Sequence, residues 1–405
     1  MSSVPVIPRS PAVAALRSPG VARLLVLSLV ARAPEAVLAL LFLLRARDLG
    51  GSYALAGAVS GIAGVGMAVG APLLGRAIDR IGQPVVLAAS VLAASVAMLA
   101  AALLPDTTAA WVLLPFALVA GATQPPVAAC LRALFGRIVP DPAVRHAALA
   151  VEASVQEITF MVGPLVFISL IAAHDPALGL GVAAVVLFAA TMAFAAAREP
   201  REMPASGVRR TAGDGPLRRA SIRALLAITV GLGVMFGAAE LAITAAAEDA
   251  GNAGAVGLLL AAYCLGSLVA GLTVAHRGPG GGSPERALLR LVLLCTLGHG
   301  LLAVAPSLVL LAVGLVLAGA AIAPLFTVVY SLCGQLAEEG TATEAFTWLG
   351  SGLYAGAAVG AGLAGLLVNA SGPAAAFAAG AVAIGIAGVA VTPFRRVLRP
   401  AAAPD

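Results

Sequence analysis

The chain has 405 residues, of which 61% are hydrophobic and only 11% carry a charged side chain. Soluble domains carry about 25% charged residues, so this composition excludes a soluble globular protein. The formal net charge is +5, and all 24 basic residues are arginines. These arginines stand in short clusters between apolar runs, which argues against a nucleic-acid-binding groove.

Twelve apolar runs are long enough to cross a bilayer, because a helical crossing needs about 20 residues. Irregular backbone cannot face lipid, so each run is predicted to be a helix. In chain order these spans 1 to 12 are residues 21–44, 53–74, 84–104, 109–131, 148–172, 177–197, 222–246, 254–275, 286–305, 308–332, 343–369 and 374–393.

The arginine distribution predicts the orientation of the spans. Twelve spans place both chain ends on one side, and that side holds 21 arginines, whereas the opposite side holds two, Arg45 and Arg47. The positive-inside rule makes the arginine-rich side cytoplasmic. We therefore predict a multi-pass plasma-membrane protein with both termini in the cytoplasm. The first apolar run is predicted to be retained rather than cleaved as a signal peptide.

The longest polar segment, residues 198–221, lies between spans 6 and 7 and holds six arginines. Its position at the midpoint of the chain predicts a cytoplasmic linker. The linker would join an N-terminal six-helix bundle, residues 1–197, to a C-terminal six-helix bundle, residues 222–405.

Two landmarks indicate that the halves are copies of one unit. The Ala-Gly-Ala triplet around Gly121 in span 4, with Pro126 five residues later, recurs around Gly319 and Pro324 in span 10 at an offset of 198 residues. The loop after span 2 has a degraded copy after span 8, at residues 271–278 and an offset of 196. The prolines are expected to break their helices and expose carbonyl groups.

The loop after span 2 contains Gly75, Asp79, Arg80 and Gly82. Gly75 lets the helix end against a neighbour, and Gly82 allows a sharp turn. Asp79 can accept hydrogen bonds from another helix N-terminus, and Arg80 can form an ion pair across the same face. We predict a latch that holds the two halves in one conformation. The alternative is an ordinary cytoplasmic loop.

This loop resembles the signature Gly-x-x-x-Asp-Arg-x-Gly of the major facilitator superfamily, although Gln83 and Pro84 replace its usual basic pair. The resemblance implies an all-α integral membrane fold of twelve transmembrane helices in two pseudo-symmetric six-helix bundles. It also implies that spans 1, 4, 7 and 10 line a central cavity. Gly163 and Pro164 match a pair that exporters carry near the end of span 5. The chain looks most like actinobacterial drug and metabolite efflux members.

Charged residues inside spans are candidates for ion coupling, because a charge at the bilayer centre costs about 2.5–3.5 kcal/mol. Arg32 and Glu35 in span 1 are three residues apart and are expected to pair on one helix face. Glu35 is the first candidate to exchange protons, with Arg32 adjusting its ionisation. A structural ion pair is the alternative. Glu157 ranks second, followed by Glu152 and Glu240.

Uncharged residues are assigned to the substrate cavity by their position in the spans. The helix break before Pro126 brings two of them toward the cavity, and the others are an amide in span 5 and two aromatic side chains. These candidates are Thr123, Gln124, Gln156, Tyr330 and Tyr354.

Together these features predict a secondary active transporter that works by alternating access. The expected reaction is proton-coupled efflux, by antiport, of a small organic compound or drug. The alternative is a proton-coupled symporter that imports a sugar or an organic acid, and a non-transporting sensor ranks third. The expected partners are the solute, protons and the lipid bilayer, and the protein is expected to be monomeric. The sequence contains no pattern for an enzyme, a cofactor or a metal site.

Overall fold

The computed structural model describes residues 10–172, 174–206, 215–278 and 283–399, and these residues form helices joined by short turns. In the N-terminal half the spans are helices Val21–Glu35 with Leu38–Asp48, Tyr53–Ile81, Gln83–Ala102, Leu113–Ala122 with Val127–Ile138, Pro142–Gly163 and Pro176–Ala195. In the C-terminal half they are Ala220–Asp249, Val256–Arg277, Pro284–Leu302, Leu308–Gly319 with Ile322–Leu336, Ala342–Ser371 and Pro373–Val391.

Eleven of the spans in the described residues are long and apolar enough to cross a membrane by length and composition alone. The remaining one is span 9, Pro284–Leu302, which carries Glu285, Arg286 and Arg290 in its first two turns. It packs against spans 10 and 12. The all-α fold of two six-helix bundles is therefore confirmed.

The segment between the halves defines one face of the molecule. Helix Arg198–Glu202 follows span 6, and the backbone N–H of Ser206 donates to the carbonyl oxygen of Asp79 at the end of span 2 at 2.9 Å. We call this the linker face. Residues 207–214 of the predicted linker, including Arg209 and Arg210, lie outside the described residues.

The same helix contact occurs once in each half. A Cβ atom on Gly121 would lie 2.1 Å from the carbonyl oxygen of Ala63 in span 2. A Cβ atom on Gly319 would lie 2.2 Å from the carbonyl oxygen of Tyr263 in span 8. Only glycine fits at such backbone contacts, so the pairs of spans 2 and 4 and of spans 8 and 10 pack in the same way.

Three spans are interrupted near their middle. Span 1 breaks after Glu35, and Pro34 lies in the last turn before the break. Span 4 breaks between Ala122 and Val127, where Pro126 immediately precedes the second helix. Span 10 breaks after Gly319, and Pro324 lies in the first turn of the next helix, where proline is tolerated.

Span 5 changes its helix type rather than breaking. It is α-helical to Gly163 and continues from Pro164 to Ala172 as a wider π-helix. A Cβ atom on Gly163 would lie 2.9 Å from the carbonyl oxygen of Ala33 in span 1. Gly163 therefore allows spans 1 and 5 to approach closely beside the break in span 1.

Candidate functional site: a charged cavity and a latch between the halves

A cavity of about 80 Å³ lies between the two halves. Its wall includes Glu35 at the break in span 1 and Gln124 at the break in span 4. Span 11 of the C-terminal half contributes Ser351 and Tyr354. Typical small-molecule sites measure about 300–1,000 Å³, so this conformation is nearly closed around the cavity.

Two arginines on the cavity wall share one glutamate. Glu152 of span 5 is 1% exposed. Its Oε1 accepts from Arg32 Nη1 at 2.9 Å and from Arg132 Nη2 at 2.8 Å, and its Oε2 accepts from Arg132 Nε at 2.9 Å. Buried charges of this kind are tolerated because they are paired and hydrogen-bonded. Glu152 therefore joins spans 1, 4 and 5.

Gln156, one helical turn after Glu152, extends the cluster. Its Oε1 accepts from Arg32 Nη2 at 2.8 Å and from Arg132 Nη2 at 3.0 Å. The guanidinium carbon of Arg132 also lies 3.7 Å from the ring centroid of Tyr330 in span 10, in a cation–π contact. Through this contact the arginine cluster of the N-terminal half reaches the C-terminal half.

The predicted pair between Arg32 and Glu35 does not form. Arg32 bonds Glu152 and Gln156 instead, since these two residues share one face of span 5 and offer an acceptor to each Nη atom. Glu35 accepts a hydrogen bond from the hydroxyl group of Tyr354 at 3.3 Å, across the two halves. Among the described residues, Glu35 is thus the cavity carboxyl group that has no cation as its hydrogen-bond partner.

Arg132 is not among the predicted site residues, because the apolar run of span 4 ends at residue 131 and places this arginine in a loop. In the structure it lies inside helix Val127–Ile138 and is 7% exposed. The apolar residues Ala133 to Phe135 that follow it were the available signal that the span continues. Moving Arg132 from the predicted cytoplasmic side into a span does not change the prediction of orientation, because that side still holds most of the arginines.

Glu157 also contacts the other half. Ser267 of span 8 donates from Oγ to Glu157 Oε1 at 3.0 Å, and the same Oγ accepts the backbone N–H of Ala323 in span 10 at 3.1 Å. Ser267 is fully buried. The freed N–H of Ala323 beside the break in span 10 is therefore satisfied through a side chain that also holds span 5.

Four predicted coupling and cavity residues lie off the cavity wall: Glu152 and Glu157, which bond residues beside it, and Glu240 and Thr123. Glu240 is exposed on span 7, and Thr123 donates from Oγ1 to the carbonyl oxygen of Val119 in its own helix at 2.7 Å. Gln124, by contrast, is 5% exposed, and neither its Oε1 nor its Nε2 has a hydrogen-bond partner among the described residues.

The predicted loop after span 2 belongs to its helix, which does not end at Gly75 but continues through Asp79 to Ile81 and caps a helix of the other half. Asp79 accepts the backbone N–H of Thr343 at 3.1 Å and that of Glu344 at 2.8 Å, in the first turn of span 11. The N-cap residue of that helix, Thr341, makes no side-chain cap bond. A carboxylate at a helix N-terminus is favourable for both its hydrogen bonds and its charge. Asp79 therefore acts as the N-cap of span 11 from the opposite half.

Neighbouring residues tighten this contact. Arg76 Nη2 lies 2.7 Å from Glu344 Oε1. A Cβ atom on Gly75 would lie 2.4 Å from Thr347 Oγ1 and 2.9 Å from the Cα of Glu344. Gly82 has φ +109°, which favours glycine. Arg80 is exposed and forms no ion pair with a described residue. The ion pair across the halves that the sequence predicts for Arg80 is formed by Arg76 instead.

The degraded copy of this loop shows why the motif appears once. The position equivalent to Asp79 is Ala275 at the end of span 8. Its partner would be span 5, whose N-terminus is already capped within the same half, because Asp141 accepts from the backbone N–H groups of Ala143 and Val144. A carboxylate at the end of span 8 would therefore find the N-terminus of span 5 already capped.

Comparison with known proteins agrees with this geometry. Residues 24–245 match the sequence profile of the Major Facilitator Superfamily. A search of curated protein sequences gives no match. The structure is similar to that of the human organic anion transporter MFSD10 (TETRAN), with 18% identity, coverage of 94% of this chain and 100% of that one, and a TM-score of 0.69.

Two further structures are similar over most of their length. A bacterial homologue of the iron transporter ferroportin, in an outward-facing state, has 14% identity, coverage of 91% of this chain and 97% of that one, and a TM-score of 0.68. The proton:xylose symporter XylE, bound to 6-bromo-6-deoxy-D-glucose, has 12% identity, coverage of 92% and 95%, and a TM-score of 0.68. At these identities the likeness concerns the fold. With the profile match over more than half of its length, the chain belongs to the major facilitator superfamily.

Proposed function

We propose that the protein is a proton-coupled secondary transporter that carries a small organic solute through the cavity between its halves. Alternating access would proceed by breaking the contacts at the linker face and closing the opposite face around the solute. The linker face would be cytoplasmic, and the membrane the plasma membrane. The arginine asymmetry supports this orientation.

Glu35 is the proposed proton carrier, and the observation that supports it is the division of partners in the cavity. Arg32 and Arg132 are both bound to Glu152, whereas Glu35 has only the Tyr354 hydroxyl group among the described residues. Glu35 forms no ion pair with a described residue, so it can gain or lose a proton without breaking one. Glu152 and Arg32 then serve a structural purpose in the same cluster.

Tyr354 gives this carboxyl group a connection to the rocking motion. Its hydroxyl group belongs to span 11, whose first turn is capped by Asp79 at the linker face. A movement of span 11 relative to the N-terminal half would alter both hydrogen bonds. Proton exchange at Glu35 and opening of the linker face are therefore proposed to be linked.

The family resemblance favours efflux by antiport as the direction of transport, and import by symport is the second candidate. The second candidate is favoured by the two guanidinium groups on the cavity wall. Their positive charge attracts an anionic solute, such as an organic acid, and a proton that enters with the solute balances its charge.

The test is transport by the full chain in proteoliposomes with an imposed pH gradient and a panel of lipophilic cations, antibiotics, sugars and organic acids. Solute movement opposite to protons supports antiport, and movement with protons supports symport. Glu35→Gln should abolish the dependence on the gradient, whereas Glu240→Gln, on an exposed face, should keep it. Coupled transport that survives in Glu35→Gln would remove the proposed proton site.

A further inference from the structure

Two polar side chains on the cavity wall take no part in the ion pairs or the latch. Gln124 is 5% exposed and Ser351 is 6% exposed. Both amide atoms of Gln124 and the hydroxyl group of Ser351 lack a hydrogen-bond partner among the described residues. An unpaired buried polar group costs free energy. The two residues line the same cavity from opposite halves, so a ligand in that cavity is placed to contact both.

Arg132 on the same wall has a hydrogen-bond donor without an acceptor among the described residues. The hydrogen bonds of Arg132 use Nε and Nη2, so within the described residues its Nη1 has no acceptor. In the same part of the chain, Glu152 is the one carboxylate that bonds both arginines. When Glu35 carries a proton, the two guanidinium groups exceed the carboxylates of this cluster by one charge.

We infer that the cavity binds a small organic carboxylate, held by Arg132 Nη1 and the side-chain amide of Gln124 and closed over by the hydroxyl group of Ser351. Guanidinium and amide N–H groups are the donors that a carboxylate accepts best. This inference rests on the proposed transport function and names its substrate class.

The anion is bound together with a proton. The charged and titratable groups that face Glu35 are Arg32 and Arg132 from the N-terminal half and Tyr354 from the C-terminal half. Protonation of Glu35 removes the negative charge that would repel a carboxylate in the cavity. Binding of the proton and of the anion therefore strengthen each other by the same factor. Such cooperative binding moves both in one direction, and it therefore favours symport, the second candidate direction, over antiport.

Ligand binding to the full chain in lipid nanodiscs tests the substrate class. Benzoate and benzamide have nearly the same shape and differ in charge, and benzylamine supplies the opposite charge. Benzoate should bind more tightly than the other two, and its affinity should fall between mildly acidic and mildly alkaline pH. In Glu35→Gln, benzoate should bind with an affinity that no longer depends on pH. Equal binding of benzamide, or preferential binding of benzylamine, would overturn the inference.

Variants of the two neutral residues test the site itself. Gln124→Leu removes the amide at nearly constant volume and should weaken benzoate binding about tenfold or more, as expected for a hydrogen bond to a charged group. Ser351→Ala should also weaken it. Ser28→Ala is the matched control, since Ser28 is buried and unpaired among the described residues as well but does not line the cavity. Benzoate affinities that are the same in Gln124→Leu, Ser351→Ala and Ser28→Ala would place the anion elsewhere.

Failure of the inference is distinguishable from failure of the proposed function. If a cation or a neutral compound moves with the pH gradient while benzoate does not bind, the transporter proposal stands and the carboxylate site is overturned. If benzoate binds with the stated pattern while no solute in the panel responds to a pH gradient, the site stands and the proton coupling is overturned.

Discussion

Asp79 and Glu344 belong to different halves of the protein, and the Oδ2 of Asp79 accepts the backbone N–H of Glu344 at 2.8 Å. Together with the bond to Thr343, this contact caps a helix that lacks a side-chain cap of its own. An N-cap contributes about 0.5–2 kcal/mol. Here that free energy exists only while the halves touch at the linker face, so it stabilises the conformation closed at that face.

Replacing Asp79 with alanine should shift the protein toward conformations open at the linker face. A loss of about 0.5–2 kcal/mol corresponds to a change of about twofold to thirtyfold in the ratio of closed to open molecules. The measurement is electron–electron resonance between spin labels at Gly136→Cys and Gln335→Cys, which are exposed near the ends of spans 4 and 10. The half-buried Cys264 is replaced by serine.

Asp141→Ala is the control for this experiment. Asp141 caps span 5 within its own half, through the N–H groups of Ala143 and Val144. Its loss should lower the stability of the whole protein by a similar amount and leave the distances between the labels unchanged. The cap across the halves would be disproved by an unaltered distance distribution in Asp79→Ala.

Gly75→Ala should open the same face by a steric route. The added Cβ atom would lie 2.9 Å from the Cα of Glu344, which is backbone and cannot turn aside. Gly64→Ala is the matched control, because a Cβ atom on Gly64, in the same helix, would meet no other atom within 4 Å. Gly64→Ala should gain the helix propensity of alanine, about 0.5–1 kcal/mol. Equal label distances in the two variants would show that the close contact at Gly75 is dispensable.

Much of the fold follows from hydrophobic run length, because a bilayer permits few structures other than helices. The low content of charged residues predicts a membrane protein. Pro126 predicts the break in span 4, and the triplet around Gly121 marks the site of the glycine contact. Span 9, Pro284–Leu302, is predictable from its apolar run even though its first turns are charged. Spans 2 and 4 end several residues beyond their apolar runs, at Ile81 and Ile138, since helices continue past the hydrocarbon edge.

The candidate site is harder to predict from the sequence, because its ion pairs and hydrogen bonds join residues that are far apart along the chain. Arg32 has a carboxylate three residues away, yet it binds Glu152, 120 positions along the chain. Local spacing ranks the near partner first, whereas packing of spans 1, 4 and 5 decides the result. Arg132 escapes prediction for a related reason. It lies at the edge of the apolar run of span 4, where a charged residue is assigned to the adjoining loop, although in the structure it is neutralised inside the bundle.

Ser267→Ala should expose the N–H of Ala323 to exchange with solvent. Ser267 Oγ accepts this N–H at 3.1 Å and donates to Glu157 at 3.0 Å. Loss of a hydrogen bond worth about 1 kcal/mol should speed exchange about fivefold. Hydrogen–deuterium exchange with mass spectrometry on a peptide that includes Ala323 measures this.

The control for Ser267→Ala is Ser95→Ala, in which the lost bond, to the carbonyl oxygen of Ala184 at 3.1 Å, lies within the N-terminal half. Exchange at Ala323 should stay unchanged in that variant. If both variants behave alike at Ala323, Ser267 does not hold the break in span 10.

Glu152→Gln should be the most destabilising change in the charged cluster beside the cavity, because it leaves Arg32 and Arg132 buried without their shared carboxylate. Removing one partner of a buried ion pair costs about 3–5 kcal/mol. The measurement is the free energy of unfolding in mixed micelles. Glu240→Gln, at an exposed position, should stay within about 0.5 kcal/mol of the unaltered protein.

A double variant tests whether Glu152 binds both arginines or only Arg32. Adding Arg132→Met to Glu152→Gln removes one of the two unpaired cations and keeps an apolar side chain against Tyr330. The double variant should therefore be more stable than Glu152→Gln alone, although Arg132→Met by itself should be destabilising. If the two losses simply add, Glu152 does not hold Arg132.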